Sequence, residues 1–251
     1  ISTRKALELN PGYANAHSNL GRILIDLGKL QEAEISTRKA IQLNPKFPNA
    51  HLNLGSILSD LGKLQEAEVS TRKAIQLNPE LALAHLNLGS ILSDLGKLKE
   101  AEVSTRKAIQ LNPGYANAHS NLGNILSDLG KLKEAEISTR KAIQLNPELA
   151  VAHFSLSTLK LSNKNKIWRD KLFSQNLLNN KSTEDKVNIY FARANILHKE
   201  SNFKESSRYL KLANNLNKNL DPTNFLLKIS KELMLEINKE IVNEDKHTNL
   251  P

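Results

Sequence analysis

The pattern of apolar and polar positions along the chain predicts short helices in pairs. Within residues 14–27, apolar residues fall three and four positions apart, which is helical spacing. Gly28 interrupts this pattern, and a second helical pattern follows that ends at Asn44 and Pro45, because proline cannot continue a helix. Since the turns between paired helices are short, we expect each pair to form an antiparallel hairpin.

The same unit recurs every 34 residues. Eight of the ten glycines fall on two ladders with this spacing, and five prolines keep the same step. These residues are Gly21, Gly55, Gly89 and Gly123; Gly28, Gly62, Gly96 and Gly130; and Pro11, Pro45, Pro79, Pro113 and Pro147. The units are nearly copies of one another, because segment 55–79 differs from segment 89–113 at one position. A fixed period of this size predicts a stack in which each unit contacts its neighbours.

This unit resembles the tetratricopeptide repeat. The family pattern Trp-x2-Leu-Gly-x2-Tyr, Ala-x3-Phe, Ala, Pro appears as His17-x2-Leu20-Gly21-x2-Leu24, Ala33-x3-Thr37, Ala40, Pro45, and it recurs at His51, His85 and His119. The resemblance covers residues 1–149. It implies an all-α fold, a right-handed α-solenoid of stacked antiparallel helix hairpins. His, Leu and Thr replace the family's large aromatics, which predicts lighter packing, and Gly21 and Ala33 stand where two helices must approach closely.

The repeat pattern also divides the chain into segments. We expect an incomplete repeat with only its second helix at 1–13, four full repeats at 14–47, 48–81, 82–115 and 116–149, a degenerate fifth repeat and junction at 150–183, a divergent hairpin at 184–220, and an amphipathic helix with a polar tail at 221–251. Because the chain opens inside a second helix, we expect it to be a fragment of a longer array.

A helical wheel divides the first helix of each repeat into a packing side and a polar side. In the first repeat the packing side carries His17, Leu20, Ile23, Leu24 and Leu27. By the family resemblance, the polar side lines a groove. The residues predicted to line this groove are Asn15, Asn19, Arg22, Asp26, Asn49, Asn53, Ser56, Asp60, Asn87, Ser90, Asp94, Asn117, Asn121, Asn124 and Asp128.

One asparagine per repeat forms a row on the polar side, at Asn19, Asn53, Asn87 and Asn121. An asparagine amide offers two donors and an acceptor. Such a row can therefore bind the N–H and C=O groups of an extended peptide, whatever that peptide's side chains are. A similar ladder occurs in O-linked N-acetylglucosamine transferases, where it grips substrate backbone. The alternative is that each asparagine bonds a neighbouring helix or only water.

The net charge of +9 invites a nucleic-acid hypothesis, which the placement of the charges argues against. The cations of the second helices alternate with glutamates, and the groove carries a row of aspartates, Asp26, Asp60, Asp94 and Asp128, that would repel phosphate. Arg22 is the sole cation that the wheel places in the groove over 14–149, which argues against a clamp for a peptide carboxylate. We therefore expect no specific nucleic-acid partner.

The sequence carries no motif for catalysis. It has no cysteine, no glycine-rich phosphate loop and no metalloprotease or serine hydrolase motif, so we expect neither an enzyme nor a cofactor. Five histidines, His17, His51, His85, His119 and His153, share the repeat spacing. We expect them to pack rather than bind metal, because neighbouring helices lie about 8–10 Å apart while a zinc ligand lies about 2 Å from its ion. We also expect a cytoplasmic protein with no membrane partner, since no membrane-spanning run or signal-peptide pattern occurs.

The leading hypothesis is therefore a protein-binding module whose groove holds an extended peptide or protein segment, partly through the asparagine row. One alternative is a substrate-recruiting arm of a larger transferase. It follows from residues 188–218, which are similar to the unit that precedes the catalytic domain in bacterial tetratricopeptide–sulfotransferase fusions. A glycosyltransferase parent is suggested by the asparagine row instead. A further alternative is an assembly scaffold.

Overall fold

A computed structural model describes residue 10, residues 12–159 and residues 166–217 of the chain. The chain is divided into two compact units, Ile1–Gly130 and Lys131–Pro251. The regular elements in the described residues are all helices, with no strand among them, so the all-α prediction is confirmed. The incomplete repeat predicted at 1–13 falls almost wholly outside the described residues, and the helix and tail predicted at 221–251 fall outside them altogether.

Paired helices build the first unit. They are α1 (Ala14–Asp26), α2 (Leu30–Leu43), α3 (Pro48–Asp60), α4 (Leu64–Leu77), α5 (Ala82–Asp94), α6 (Leu98–Leu111) and α7 (Ala116–Asp128). The first helices α1, α3 and α5 each pack against the second helix of their own repeat, and the second helices α2, α4 and α6 also contact the first helix of the next repeat. First helices of successive repeats touch as well, so α1, α3, α5 and α7 form a continuous layer.

A glycine ends the first helix of each repeat in the left-handed conformation, as at Gly62 with φ +73°. Its N–H donates to Ser59 O at 2.9 Å, and the next N–H, of Lys63, donates to Leu58 O at 2.8 Å. This is the Schellman motif, which gives partners to helix-terminal carbonyls and favours glycine because no Cβ is strained there. The predicted interruption at each such glycine is thus a tight turn between paired helices.

Small residues allow the two helices of a hairpin to approach closely. A Cβ added at Gly55 would collide with Thr71 Oγ1 on the facing helix. Ala67 and Thr71 are fully buried, and Thr71 Oγ1 donates to Ala67 O at 2.8 Å. The same collision is found at Gly21, which confirms the sequence-based explanation of its glycine.

Two residues assigned to the packing side of α1 are more exposed than the wheel predicts. Leu27 is 64% exposed, whereas its counterpart Leu61 is half-buried against the preceding repeat. Ile23 is 37% exposed, whereas its counterpart Ile57 is fully buried against the preceding repeat. Residues 1–9 and 11, which precede the first repeat, lie outside the described part of the chain.

The second unit begins with the second helix of the fourth repeat and then departs from the repeat pattern. It contains α8 (Leu132–Leu145), α9 (Ala150–Thr158), α10 (Lys166–Phe173), a 3-10 helix (Gln175–Leu178), α11 (Thr183–Lys199) and α12 (Phe203–Asn217). Helix α9 contacts α8 and α11, while α11 and α12 pack together as a hairpin. The hairpin begins at Ser182, whose hydroxyl accepts the N–H of Asp185 at 3.0 Å as a helix cap.

Long cationic side chains from α11 bind backbone carbonyls at the ends of α9 and α10. Lys199 Nζ donates to the carbonyls of Ser157 and Leu159, both at 2.6 Å, at the end of α9. Buried Arg193 donates through Nε to Leu172 O at 2.9 Å and through Nη2 to Ser174 O at 2.8 Å, at the end of α10. Helix C-termini carry partial negative charge, so cations stabilise both ends. Burial lowers the pKa of Lys199.

Candidate functional site

Three of the four asparagines of the predicted row link the first helices of successive repeats. Asn87 Nδ2 donates to Ser56 Oγ of the preceding repeat at 2.8 Å, and Asn121 Nδ2 donates to Ser90 Oγ at 2.7 Å. In the first repeat Arg22 stands where the second and third repeats have serine. Asn53 accordingly donates elsewhere, to Ser18 Oγ at 3.2 Å.

Each serine passes this hydrogen bond on to its own helix. Ser56 Oγ donates to Leu52 O at 3.4 Å, and Ser90 Oγ donates to Leu86 O at the same distance. The hydroxyl therefore accepts from one helix and donates within another. Because one amide hydrogen is held in this way, the second hydrogen and Oδ1 of each asparagine have a fixed direction.

The structure gives the four asparagines of the row different degrees of exposure. Asn19 is exposed, whereas Asn53, Asn87 and Asn121 are half-buried. The three half-buried asparagines thus form the hydrogen bond to a neighbouring helix that the sequence offered as the alternative to peptide binding. Sequence reasoning grouped Ser56 with the groove residues but did not pair it with an asparagine. A signal was available, since each pair is 31 residues apart, three fewer than one repeat.

A row of aspartates accompanies the asparagines, one at the last residue of each first helix. All four carboxylates, those of Asp26, Asp60, Asp94 and Asp128, are exposed. Partial burial nevertheless raises the pKa of the last three carboxyl groups. No ion pair involves these three within the described residues, so their charge is available to a ligand.

The remaining predicted groove residues lie on the surface of the first helices. Asn15, Asn49 and Asn117 are exposed near the start of α1, α3 and α7. Arg22 and Asn124 are exposed in the middle of α1 and α7, at corresponding positions of their repeats. All the predicted groove residues therefore belong to the layer of first helices.

Charged side chains on the second-helix side of the first unit form ion pairs between successive repeats. Glu34 accepts from Lys63 Nζ and from Arg38 Nε, each at 2.9 Å, and Arg38 also reaches Glu66 at 2.9 Å. The hydrogen bond from Lys63, followed by that from Arg38, lowers the pKa of Glu34. The same arrangement recurs around Glu68, so these cations do not form a separate basic patch.

The repeated histidines are anchored to backbone rather than gathered together. Ring Nε2 lies within hydrogen-bond distance of a proline carbonyl six residues earlier. The pairs are His51 with Pro45 at 2.9 Å, His85 with Pro79 at 2.9 Å, His119 with Pro113 at 3.1 Å and His153 with Pro147 at 2.9 Å. Across the described residues, no three His, Asp or Glu side chains converge as a metal site would require.

Comparison with protein families identifies the repeats. Models described as tetratricopeptide repeat match residues 48–81, 82–115 and 116–149, and residues 3–35, while a model described as TPR repeat matches residues 21–62. The chain belongs to the tetratricopeptide repeat (TPR) family. Together these matches run from residue 3 to residue 149, more than half of the chain, and the resemblance inferred from the Leu-Gly, Ala and Pro positions is confirmed.

Solved structures share the fold of this TPR chain. YrrB, a TPR protein with an unusual peptide-binding site, is 21% identical with a TM-score of 0.56, over 80% of this chain and 98% of YrrB. PilF of Pseudomonas aeruginosa is 19% identical with a TM-score of 0.66, over 89% of this chain and 97% of PilF. A chain of the APC/C hetero-tetramer Cut9–Hcn1 is 16% identical with a TM-score of 0.73, over 94% of this chain and 44% of that chain. At these identities the likeness concerns the fold, and the predicted solenoid of helical hairpins is confirmed.

No curated protein matches the sequence. Among the helices of the described residues, none has the combination of length and apolar character that crossing a bilayer demands.

Proposed function

We propose that this TPR chain is a protein-interaction module that binds an extended peptide or protein segment along its first helices. We call the surface concerned the asparagine face, defined by Asn19, Asn53, Asn87 and Asn121 together with Asp26, Asp60, Asp94 and Asp128. The observation that carries the proposal is the shared orientation of Asn87 and Asn121. Each is held by the same bond to a serine one repeat earlier, at 2.8 and 2.7 Å.

The serine bond prepares the asparagine for a ligand. An amide whose orientation is already fixed loses little conformational freedom on binding, which strengthens the complex. The remaining amide hydrogen would donate to a peptide C=O, and Oδ1 would accept a peptide N–H. Because Asn87 and Asn121 belong to successive repeats, they would bind main-chain groups at regular intervals along an extended segment.

The aspartate row favours a ligand rich in donors. The partial burial that raises the pKa of Asp60, Asp94 and Asp128 means that each carboxylate has lost some of its hydration. A ligand N–H or a basic side chain would restore part of that loss, whereas an acidic segment would be repelled. In YrrB a chain of the same fold carries a peptide-binding site, which is compatible with this use of the first helices.

The experiment is a peptide-array screen with the full chain, followed by two scans of the best peptide. Alanine scanning removes the ligand's side chains, and N-methyl scanning removes its backbone donors. Recognition through backbone predicts that N-methylation at alternate positions weakens binding about two- to tenfold per site, with smaller losses from alanine. A ligand whose affinity depends on side chains alone would contradict the mechanism.

The transferase-arm alternative rests on the similarity of residues 188–218 to the segment before the catalytic domain of sulfotransferase fusions. Within that stretch α11 and α12 form a hairpin, as a divergent repeat would. A reading frame that continued beyond Pro251 into a Pro-Arg-Ser-Gly motif would support the sulfotransferase arm, and an early stop codon would remove it. The glycosyltransferase parent has only the asparagine row in its favour. An assembly scaffold would capture folded partners while leaving the peptide array empty.

A further inference from the structure

A cavity of about 520 Å³ lies among α2, α3 and α4, on the second-helix side of the first unit. Its wall includes His51, Leu54 and Leu58 of α3, together with Ile41 of α2 and Val69 of α4. Val69 is 71% exposed, so the cavity opens to solvent. None of its lining residues belongs to the asparagine face. Its volume lies within the range of clefts that hold small organic ligands.

The repeat position of His51 normally holds a large aromatic in the family pattern. Histidine is smaller than the tryptophan of that pattern, and neighbouring Val69 and Ser70 are also small. These smaller side chains leave room beside His51 that a tryptophan at the same position would reduce.

In the second unit of the same chain an indole contacts the corresponding histidine. His153 occupies the position of His51 in the fifth repeat and is fully buried. Trp168 Nε1 donates to His153 Nδ1 at 3.0 Å, and the two rings lie 6.4 Å apart with planes inclined by 16°. The sequence places no tryptophan in the four full repeats.

The two histidines are prepared for the same contact. In both, Nε2 lies 2.9 Å from a proline carbonyl six residues earlier, so that nitrogen carries the hydrogen and Nδ1 is an acceptor. The Nδ1 of His153 accepts from Trp168. The Nδ1 of His51 has no partner among the described residues.

We propose that the cavity beside His51 binds the indole of a tryptophan presented by a partner protein, with the indole N–H donating to His51 Nδ1. The rim adds a preference for a carboxylate next to that tryptophan. Lys73 donates to Gln76 at 3.0 Å and has no carboxylate partner among the described residues. The rim cation Arg38, by contrast, is already paired with Glu66.

The test uses the full chain labelled with ¹⁵N-histidine and two probes, N-acetyl-tryptophan amide and the dipeptide amide N-acetyl-Trp-Glu-NH2. The ¹⁵N shift of His51 Nδ1 is followed by NMR during titration. We expect a saturable shift, with the glutamate-containing probe binding more tightly. The 1-methyl-tryptophan analogue lacks the N–H donor and should bind roughly two- to tenfold more weakly.

A matched pair of variants assigns the site. Val69→Trp fills the cavity and should abolish the response of His51 while keeping the helical circular dichroism. Val103→Trp makes the same change one repeat later and should leave the response of His51 intact. No shift of His51 with either probe would overturn the proposal, as would equal binding of the methylated analogue or of N-acetyl-phenylalanine amide. Because Asn87→Ala leaves this cavity untouched, failure of the peptide-binding proposal would not affect the result.

Discussion

The bond between Asn87 and Ser56 gives the most direct test of how successive repeats are joined. Asn87→Ala removes the donor and Ser56→Ala removes the acceptor of a 2.8 Å hydrogen bond between α5 and α3. Both residues are half-buried, so water replaces part of what each single change removes. We expect each variant to lose about 0.5–1.5 kcal/mol of unfolding free energy.

The informative quantity is the coupling between the two changes. If the bond contributes to stability, the double variant should lose less than the sum of the single variants, with a coupling of about 0.5–1.5 kcal/mol. Urea unfolding followed by circular dichroism provides the three differences, with an unchanged m-value showing that the same surface is exposed. As a control, Asn87→Ala combined with Ser93→Ala on the same helix should be additive. A coupling below about 0.3 kcal/mol for the Asn87–Ser56 pair would refute the reasoning.

Three further changes test other parts of the structure. Gly55→Ala should destabilise by about 1–3 kcal/mol through its collision with Thr71 Oγ1, and Thr71→Ala should recover part of this loss in thermal unfolding. Burial lowers the pKa of His153, so unfolding favours its protonation, and stability should fall with pH below its ordinary value of 6.5. The emission of Trp168, the chain's one tryptophan, should report that loss, and His153→Phe should abolish this part of the pH dependence. Lys63 and Arg38 lower the pKa of Glu34, so its carboxylate stabilises the fold above the ordinary pKa of 4.5, and this stabilisation is lost as the pH falls below that value. Glu34→Gln should therefore make the urea midpoint depend less on pH in the acid range.

Local signals were sufficient for the repeated hairpins. The apolar spacing within 14–27 and the glycine after it are both visible within one repeat. The structure has α1 over Ala14–Asp26 and a φ of +71° at Gly28. Proline at position 45 likewise ends α2 at Leu43. Because the same residues recur every 34 positions, the prediction made for one repeat applies to the other repeats.

The contacts between successive repeats could not be predicted from the periodic pattern. A helical wheel assigns Asn87 to a face, but its partner Ser56 depends on how one helix is offset against the next. The second unit shows this more strongly, since Arg193 and Lys199 reach carbonyls 19–42 residues away. No periodic pattern links those positions. The unusual burial of His153 also depends on Trp168, which belongs to a helix outside the repeat pattern.

The central claim is that the asparagine face binds a peptide, and titration of one peptide from the array against three proteins tests it. The first is the unchanged chain, and the second carries Asn19→Ala, Asn53→Ala, Asn87→Ala and Asn121→Ala. The third is a control with Gln42→Ala, Gln76→Ala and Gln110→Ala, which removes amides at the same repeat spacing from the second helices. Fluorescence anisotropy of the labelled peptide gives each dissociation constant.

We expect the asparagine variant to remain helical and to bind at least tenfold more weakly, because several amide contacts of about 0.5–1.5 kcal/mol each are lost. The glutamine control should bind like the unchanged chain. A folded asparagine variant that bound as tightly as the unchanged chain would contradict the claim. The asparagines would then serve only to join one repeat to the next.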